Sequence, residues 1–147
     1  MESANQQIDL TEIFGEVISS YSRAQAIADG VLVDVTETAS EAGFLWPVAI
    51  TQAAWSDCVE WTEEDARRQS AAFQDLNGRC WDVLFMAHWA IKTSKRDSYE
   101  GNTLLYDLYR VPRGGKRTKA RKVTLKLITG PGDNGEPVVT IMLPNED

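Results

Sequence analysis

Leu10, Ile13, Phe14, Val17, Ile18 and Tyr21 recur at the three-and-four spacing that lines one side of a helix. With Asp9 as N-cap and Glu12 three residues on, the spacing predicts a first helix reaching Tyr21. Ser22 followed by Gln25 forms a second capping box and predicts a short helix over Arg23–Asp29, stopped by Gly30. The period then changes. Val31–Val35 is short and β-branched, a strand or extended segment, and Thr36 is placed to cap another short helix ending at Gly43. Trp46-Pro47 forces an extended passage, because a residue before proline is driven out of the α region, and Thr51 is placed to cap a helix through Trp61. Thr62 followed by Glu63, Glu64 and Asp65 puts a cap and three acids where a helix dipole favours negative charge, predicting a helix to about Phe73.

After the Asn77-Gly78 break, Trp81, Leu84, Phe85, His88 and Ile91 share one face, while Cys80, Ala87 and Ala90 extend it. A helix apolar around most of its circumference is expected at the centre of a fold. Beyond Asn102 the period becomes two: Leu104, Tyr106 and Leu108 alternate with Leu105, Asp107 and Tyr109, and Val123, Leu125 and Leu127 with Thr124, Lys126 and Ile128. A third run, Pro137–Leu143, follows the turn Gly130–Gly135. The expected fold is α+β, with several short helices packed on a three-stranded antiparallel C-terminal meander. It is expected to form one domain over residues 1–147, with residues 1–7 disordered and a basic hairpin over 103–129.

Composition adds that 147 residues, 43% hydrophobic and 25% charged, suffice for a buried core. The longest apolar stretch, Trp81–Ile91, is interrupted by Asp82 and His88 and is too short to cross a bilayer. The first seven residues have neither a basic start nor an apolar run, so no secretory signal is expected and the cytoplasm is the default. Cys58 and Cys80 sit among aromatic and aliphatic neighbours, as reduced core thiols do. Charge is divided sharply. Residues 1–109 hold 18 acidic and 7 basic side chains, whereas Arg110, Arg113, Lys116, Arg117, Lys119, Arg121, Lys122 and Lys126 follow with no acid between them, inside a chain of net charge −7. Such asymmetry speaks about partners rather than fold.

The stretch from Ser20 to Glu37, SYSRAQAIADGVLVDVTE, and the ending from Gly130-Pro131-Gly132-Asp133 to Ile141-Met142-Leu143-Pro144 resemble a family of small uncharacterised proteins carried by bacterial plasmids, integrative elements and phages. The likeness covers most of the chain from Tyr21 onward. That family has no assigned reaction, so no catalytic residue is carried over. What the resemblance implies is context: accessory genes on such elements often regulate transfer, process DNA or disarm host restriction and CRISPR systems, an association rather than chemistry.

A hairpin tipped by Pro112-Arg113-Gly114-Gly115-Lys116-Arg117-Thr118-Lys119 would project a flexible cationic loop that attracts phosphates by counterion release. Tyr106 and Tyr109 lie beside it, as aromatics that stack unpaired bases do, though tyrosines at such strand positions are as often one core residue and one solvated one. The expected binding set is Tyr109 with the eight cations, against two other readings of the same loop: a solvated loop that only aids solubility, and docking on an acidic protein. An opposite surface is also available: Glu37, Glu41, Asp57, Glu60, Glu63, Glu64 and Asp65 could imitate a phosphate array toward a host protein, or simply be a solvated acidic surface.

His88, the single histidine, falls on the apolar face of its helix, where a core residue is more common than a general base, and no second His or Cys completes a zinc site. Gly130-Pro131-Gly132-Asp133-Asn134-Gly135 fits Gly-x-Gly-x-x-Gly in letters only. It joins two expected strands rather than leading from a strand into a helix, so it reads as a turn. Trp81 and Trp89 are expected in the packed helix, while Trp46, Trp55 and Trp61 are core residues or the lining of a partner groove. No metal or cofactor is expected.

Three functions stay open. The first is a non-enzymatic mobile-element protein that binds a nucleic acid or nucleoprotein complex, inhibiting a host defence system of anti-CRISPR or anti-restriction type. The second is a small enzyme or ligand-binding domain for a nucleotide-like molecule, with Tyr21, Arg23, Asp34, Asp82 and His88 as polar participants. The third is a protein-binding module using the acidic helices.

Overall fold

A computed structural model describes residues 21–147, so the helix expected before Tyr21 and the disorder expected over residues 1–7 lie outside the described residues. Ser22 Oγ accepts from the Gln25 N–H at 2.9 Å and starts α1 (Arg23–Ala28). Gly30, at φ +80°, ends that turn and leads into β1 (Leu32–Asp34). In α2 (Thr36–Glu41), Thr36 is the first residue rather than the cap. Its hydroxyl donates to Asp34 at 2.6 Å and accepts from the Val48 N–H at 3.1 Å, tying β1 to β2 (Val48–Thr51). Thr51 caps α3 (Gln52–Cys58), which stops short of Trp61. Thr62 and Asp65 bond reciprocally, at 3.1 and 2.9 Å, and start α4 (Glu63–Arg68).

α4 ends before Phe73. A 3-10 turn, Ser70–Ala72, follows, and Phe73 closes it in the left-handed region at φ +53°. Asp75 then caps α5 (Leu76–Thr93) through the Gly78 N–H at 2.7 Å, so Asn77 and Gly78 sit in the first turn of this helix and do not break the chain. After a 3-10 turn at Arg96–Ser98 come β3 (Thr103–Arg110), β4 (Arg121–Pro131) and β5 (Pro137–Met142).

The expected three-stranded antiparallel meander is corrected to a five-stranded mixed sheet in the order β1-β2-β5-β4-β3. β3, β4 and β5 do pair antiparallel, but β5 also pairs parallel with β2, Val48 opposite Val139 and Ile50 opposite Ile141, and β1 closes the far edge. Both added strands are short and come early in the chain. β2 reads as a continuous apolar run, Val48-Ala49-Ile50, without the alternation that marks a half-exposed strand.

One sheet face carries Val48, Ile50, Tyr106, Leu108, Leu125, Leu127, Val139 and Ile141 under α2, α3 and α5. From α5 it receives Cys80, Val83, Leu84 and Ala87. Trp81 and Phe85, expected on the packed face, and Trp89, expected in the packed helix, stand exposed instead. With apolar residues on every side of the 80–91 window, spacing alone could not say which arc turns inward. Cys58 and Cys80 are buried free thiols, and burial pushes each up to about 11. Among the described residues no helix is long and apolar enough to cross a membrane, and no cluster of His, Cys, Asp or Glu could hold a metal ion.

Candidate functional site

The connection from β3 to β4 is pinned where a flexible projecting tip was expected. Gln69, 1% exposed at the end of α4, donates to the Pro112 and Arg117 carbonyls at 2.8 and 2.7 Å and accepts from the Gly114 N–H at 2.9 Å. Gly114 and Gly115, at φ +96° and +65°, allow the chain to wrap that one side chain. Arg113 adds a second anchor. Its Nε reaches Asp65 at 2.7 Å, and its Nη1 reaches the Ser56 carbonyl at 3.0 Å and Glu60 at 3.4 Å. Burial pushes the Asp65 carboxyl up, but donors at the Thr62 backbone and on Arg113 outweigh it and hold the group below its usual range.

These anchors divide the expected cationic set. Arg110 is paired with Asp57 at 2.9 Å, Arg113 with Asp65 and Glu60, and Lys126 donates to the Glu146 carbonyl. Lys116, Arg117, Lys119, Arg121 and Lys122 are exposed, with no carboxylate partner among the described residues. Tyr109 and Lys122 are register partners on the face away from the helices. The Tyr109 ring is 67% exposed, whereas Tyr106, three residues earlier, turns inward, where its hydroxyl donates to the Val83 carbonyl at 3.1 Å. A projecting ring thus stands at the end of β3 opposite Lys122 of β4, with Arg121 next to Lys122 on that strand and Lys116, Arg117 and Lys119 on the held loop between the two strands.

The acidic set is dispersed in the same way. Asp57, Glu60 and Asp65 serve the two arginines, and Glu64 pairs with Arg68 at 2.5 Å. Glu37 and Glu41 lie on α2, and Glu63 is exposed in the first turn of α4.

The five polar residues expected of a ligand pocket do not converge. The Tyr21 hydroxyl donates to Asp29 at 2.9 Å, Arg23 bonds Thr140 and the Val139 carbonyl at 2.7 Å each, and Asp34 holds Thr36. Asp82 lines a cleft with Phe73 and Gly78, and burial there raises its carboxyl despite Arg79 nearby. His88 is only partly buried. Its ring lies over Gly43, edge-on to Phe44 at 5.5 Å, and lines an apolar cavity of about 380 Å³ with Trp46, Tyr99 and Leu127. The glycine-rich stretch joins β4 to β5. Asp133 within it accepts from the Arg23 and Ala24 N–H groups at 2.7 and 3.0 Å, and those two donors hold its carboxyl low.

Two residues central to this arrangement carried little sequence signal. Gln69 falls inside the helix expected to reach about Phe73, and nothing in the spacing marks it as buried. Arg79, 3% exposed, donates to the Val59, Val111 and Asp57 carbonyls and lies 4.8 Å from the Trp61 ring centroid, joining α3, α5 and the end of β3. Burial draws its pKa below the usual arginine value.

The chain belongs to a family of unknown function (DUF6573), whose model matches residues 11–147. No curated protein and no solved structure gives a match to the chain.

Proposed function

We propose that this family member is a non-enzymatic protein that contacts unpaired nucleic acid, alone or within a nucleoprotein complex, through the β3–β4 connection. The observation that carries this reading is Tyr109, exposed and in register with Lys122 at the end of the strand pair whose connection holds the exposed Lys116, Arg117 and Lys119. Cations that carry no ion pair among the described residues exchange bound counterions for phosphates, and an exposed ring offers a face to a base of any sequence. The anchors on Gln69 and Arg113 favour the reading as well, since an ordered loop loses less freedom on binding than a floppy one. A gel-shift titration with single-stranded DNA and RNA tests it. Binding should appear at low salt and weaken in Tyr109→Ala, and no shift at low salt for either polymer overturns it.

The setting in a mobile element, and the blocking of a host defence complex of anti-CRISPR or anti-restriction type, rest on resemblance and complete the proposal. They are tested by phage or plasmid challenge of a defended host expressing the protein. Undiminished targeting removes the blocking role. A second reading, a small-ligand site, is favoured only by the cavity of about 380 Å³ at His88 and Trp46, which falls within the size range of ligand pockets and is mainly apolar. Trp46 fluorescence unchanged by a panel of nucleosides and nucleotides would dismiss a nucleotide-like occupant.

A further inference from the structure

α5 turns an aromatic stripe to solvent. Trp81, Phe85 and Trp89 lie one turn apart and are 38%, 45% and 53% exposed, with the first two rings stacked at 6.0 Å. Phe73 stands almost wholly exposed beside the start of the stripe, in a left-handed conformation that costs a bulky residue about 1 kcal/mol or more. At about 200 Å² per ring, these side chains leave on the order of 500 Å² of aromatic surface in water, near the upper limit for patches on monomeric proteins.

We propose that a second copy of the chain covers this stripe, its α5 lying antiparallel across the first about a two-fold axis at Phe85. The sequence of the exposed arc is self-complementary under that operation, as an isologous interface requires. Positions equally far before and after Phe85 face each other: Trp81 meets Trp89 of the second copy, and Gly78 meets Lys92. Gly78 floors a cleft of about 250 Å³ that Phe73, Asp75 and Asp82 line, and the Asp75 carboxylate hangs directly over it. Lys92, exposed in the last turn of α5, is the basic residue that would enter this acidic cleft, and the symmetry supplies the contact twice. The aromatic area falls short of the roughly 800 Å² per partner of a standard interface, so the polar rim completes it and the expected affinity is micromolar.

Sedimentation equilibrium tests the pairing. The wild-type chain should self-associate in the micromolar range, and Phe85→Glu should weaken this more than about tenfold while leaving the far-UV circular dichroism unchanged. Asp82→Lys and Lys92→Asp alter exposed positions and keep the fold. Each alone should weaken association, and an equimolar mixture should restore it, because unlike charges then face each other at both symmetric contacts. A monomeric wild-type chain into the high micromolar range overturns the pairing, whether residues 1–20 or another partner cover the stripe. A dimer indifferent to Phe85→Glu overturns it too, and loss in the single charge variants without recovery on mixing overturns the antiparallel arrangement.

Discussion

Replacing Gln69 by leucine keeps most of the side-chain volume and removes three hydrogen bonds at once, those to Pro112, Arg117 and Gly114. At 1% exposure, water cannot take their place until the loop opens. Each bond is worth about 1 kcal/mol net, and a buried group left unpaired costs about 1–3 kcal/mol, so after the gain from burying leucine the expected loss is about 2–4 kcal/mol. Urea unfolding should show a lower midpoint at unchanged slope, and the Gly114 amide should exchange with solvent faster. The substitution alters no charge, so weaker oligonucleotide binding in the same variant would report the loss of a held loop rather than of electrostatics. A stability change below about 0.5 kcal/mol, with Gly114 exchange unaltered, would show that Gln69 does not hold the loop.

Other substitutions probe separate parts of the account. Arg79→Met leaves three carbonyls and the Trp61 face without their guanidinium and should cost about 3–5 kcal/mol, read by chemical denaturation. Gly43→Ala places a Cβ 2.8 Å from His88 Cε1 at φ +115° and should destabilise by about 1–3 kcal/mol, whereas Gly130→Ala meets nothing within 4 Å and should change the melting temperature little. Because the folded-state pKa of Asp65 is depressed, its contribution is present above the unfolded carboxylate pKa and is lost as pH falls through the lower, folded value. Stability of the wild type should therefore drop below about pH 4, and Asp65→Asn should flatten that acid limb in urea melts taken across the range.

Local chemistry was legible where a side chain acts on its own neighbourhood. Ser22, Thr51 and Thr62 cap the helices their positions suggest, and the alternation in β3 and β4 separates Tyr106 from Tyr109. Long-range pairing was not. Nothing local in Val48-Ala49-Ile50 says that it lies parallel to β5, because its partner comes some ninety residues later, Ile50 facing Ile141. The basic segment shows the same limit. Its composition marked eight cations, yet which of them stay available depends on Asp57, Glu60, Asp65 and Gln69, brought beside them by the packing of α3 and α4. On α5 the apolar content was plain, but the choice of buried arc required Arg79 and Leu84 to be placed against their neighbours, leaving the Trp81–Phe85–Trp89 stripe outside.

The most direct measurement is fluorescence anisotropy of a labelled single-stranded oligonucleotide titrated with the protein over a series of salt concentrations. If Lys116, Arg117, Lys119, Arg121 and Lys122 each replace a counterion, log K should fall linearly with log salt at a slope of about −3.5. Converting these five residues to glutamine should abolish both the binding and its slope, while Tyr109→Ala should weaken affinity by about 1–3 kcal/mol and leave the slope unchanged. Absence of binding at low salt, or binding that survives the five-fold neutralisation, would contradict the account.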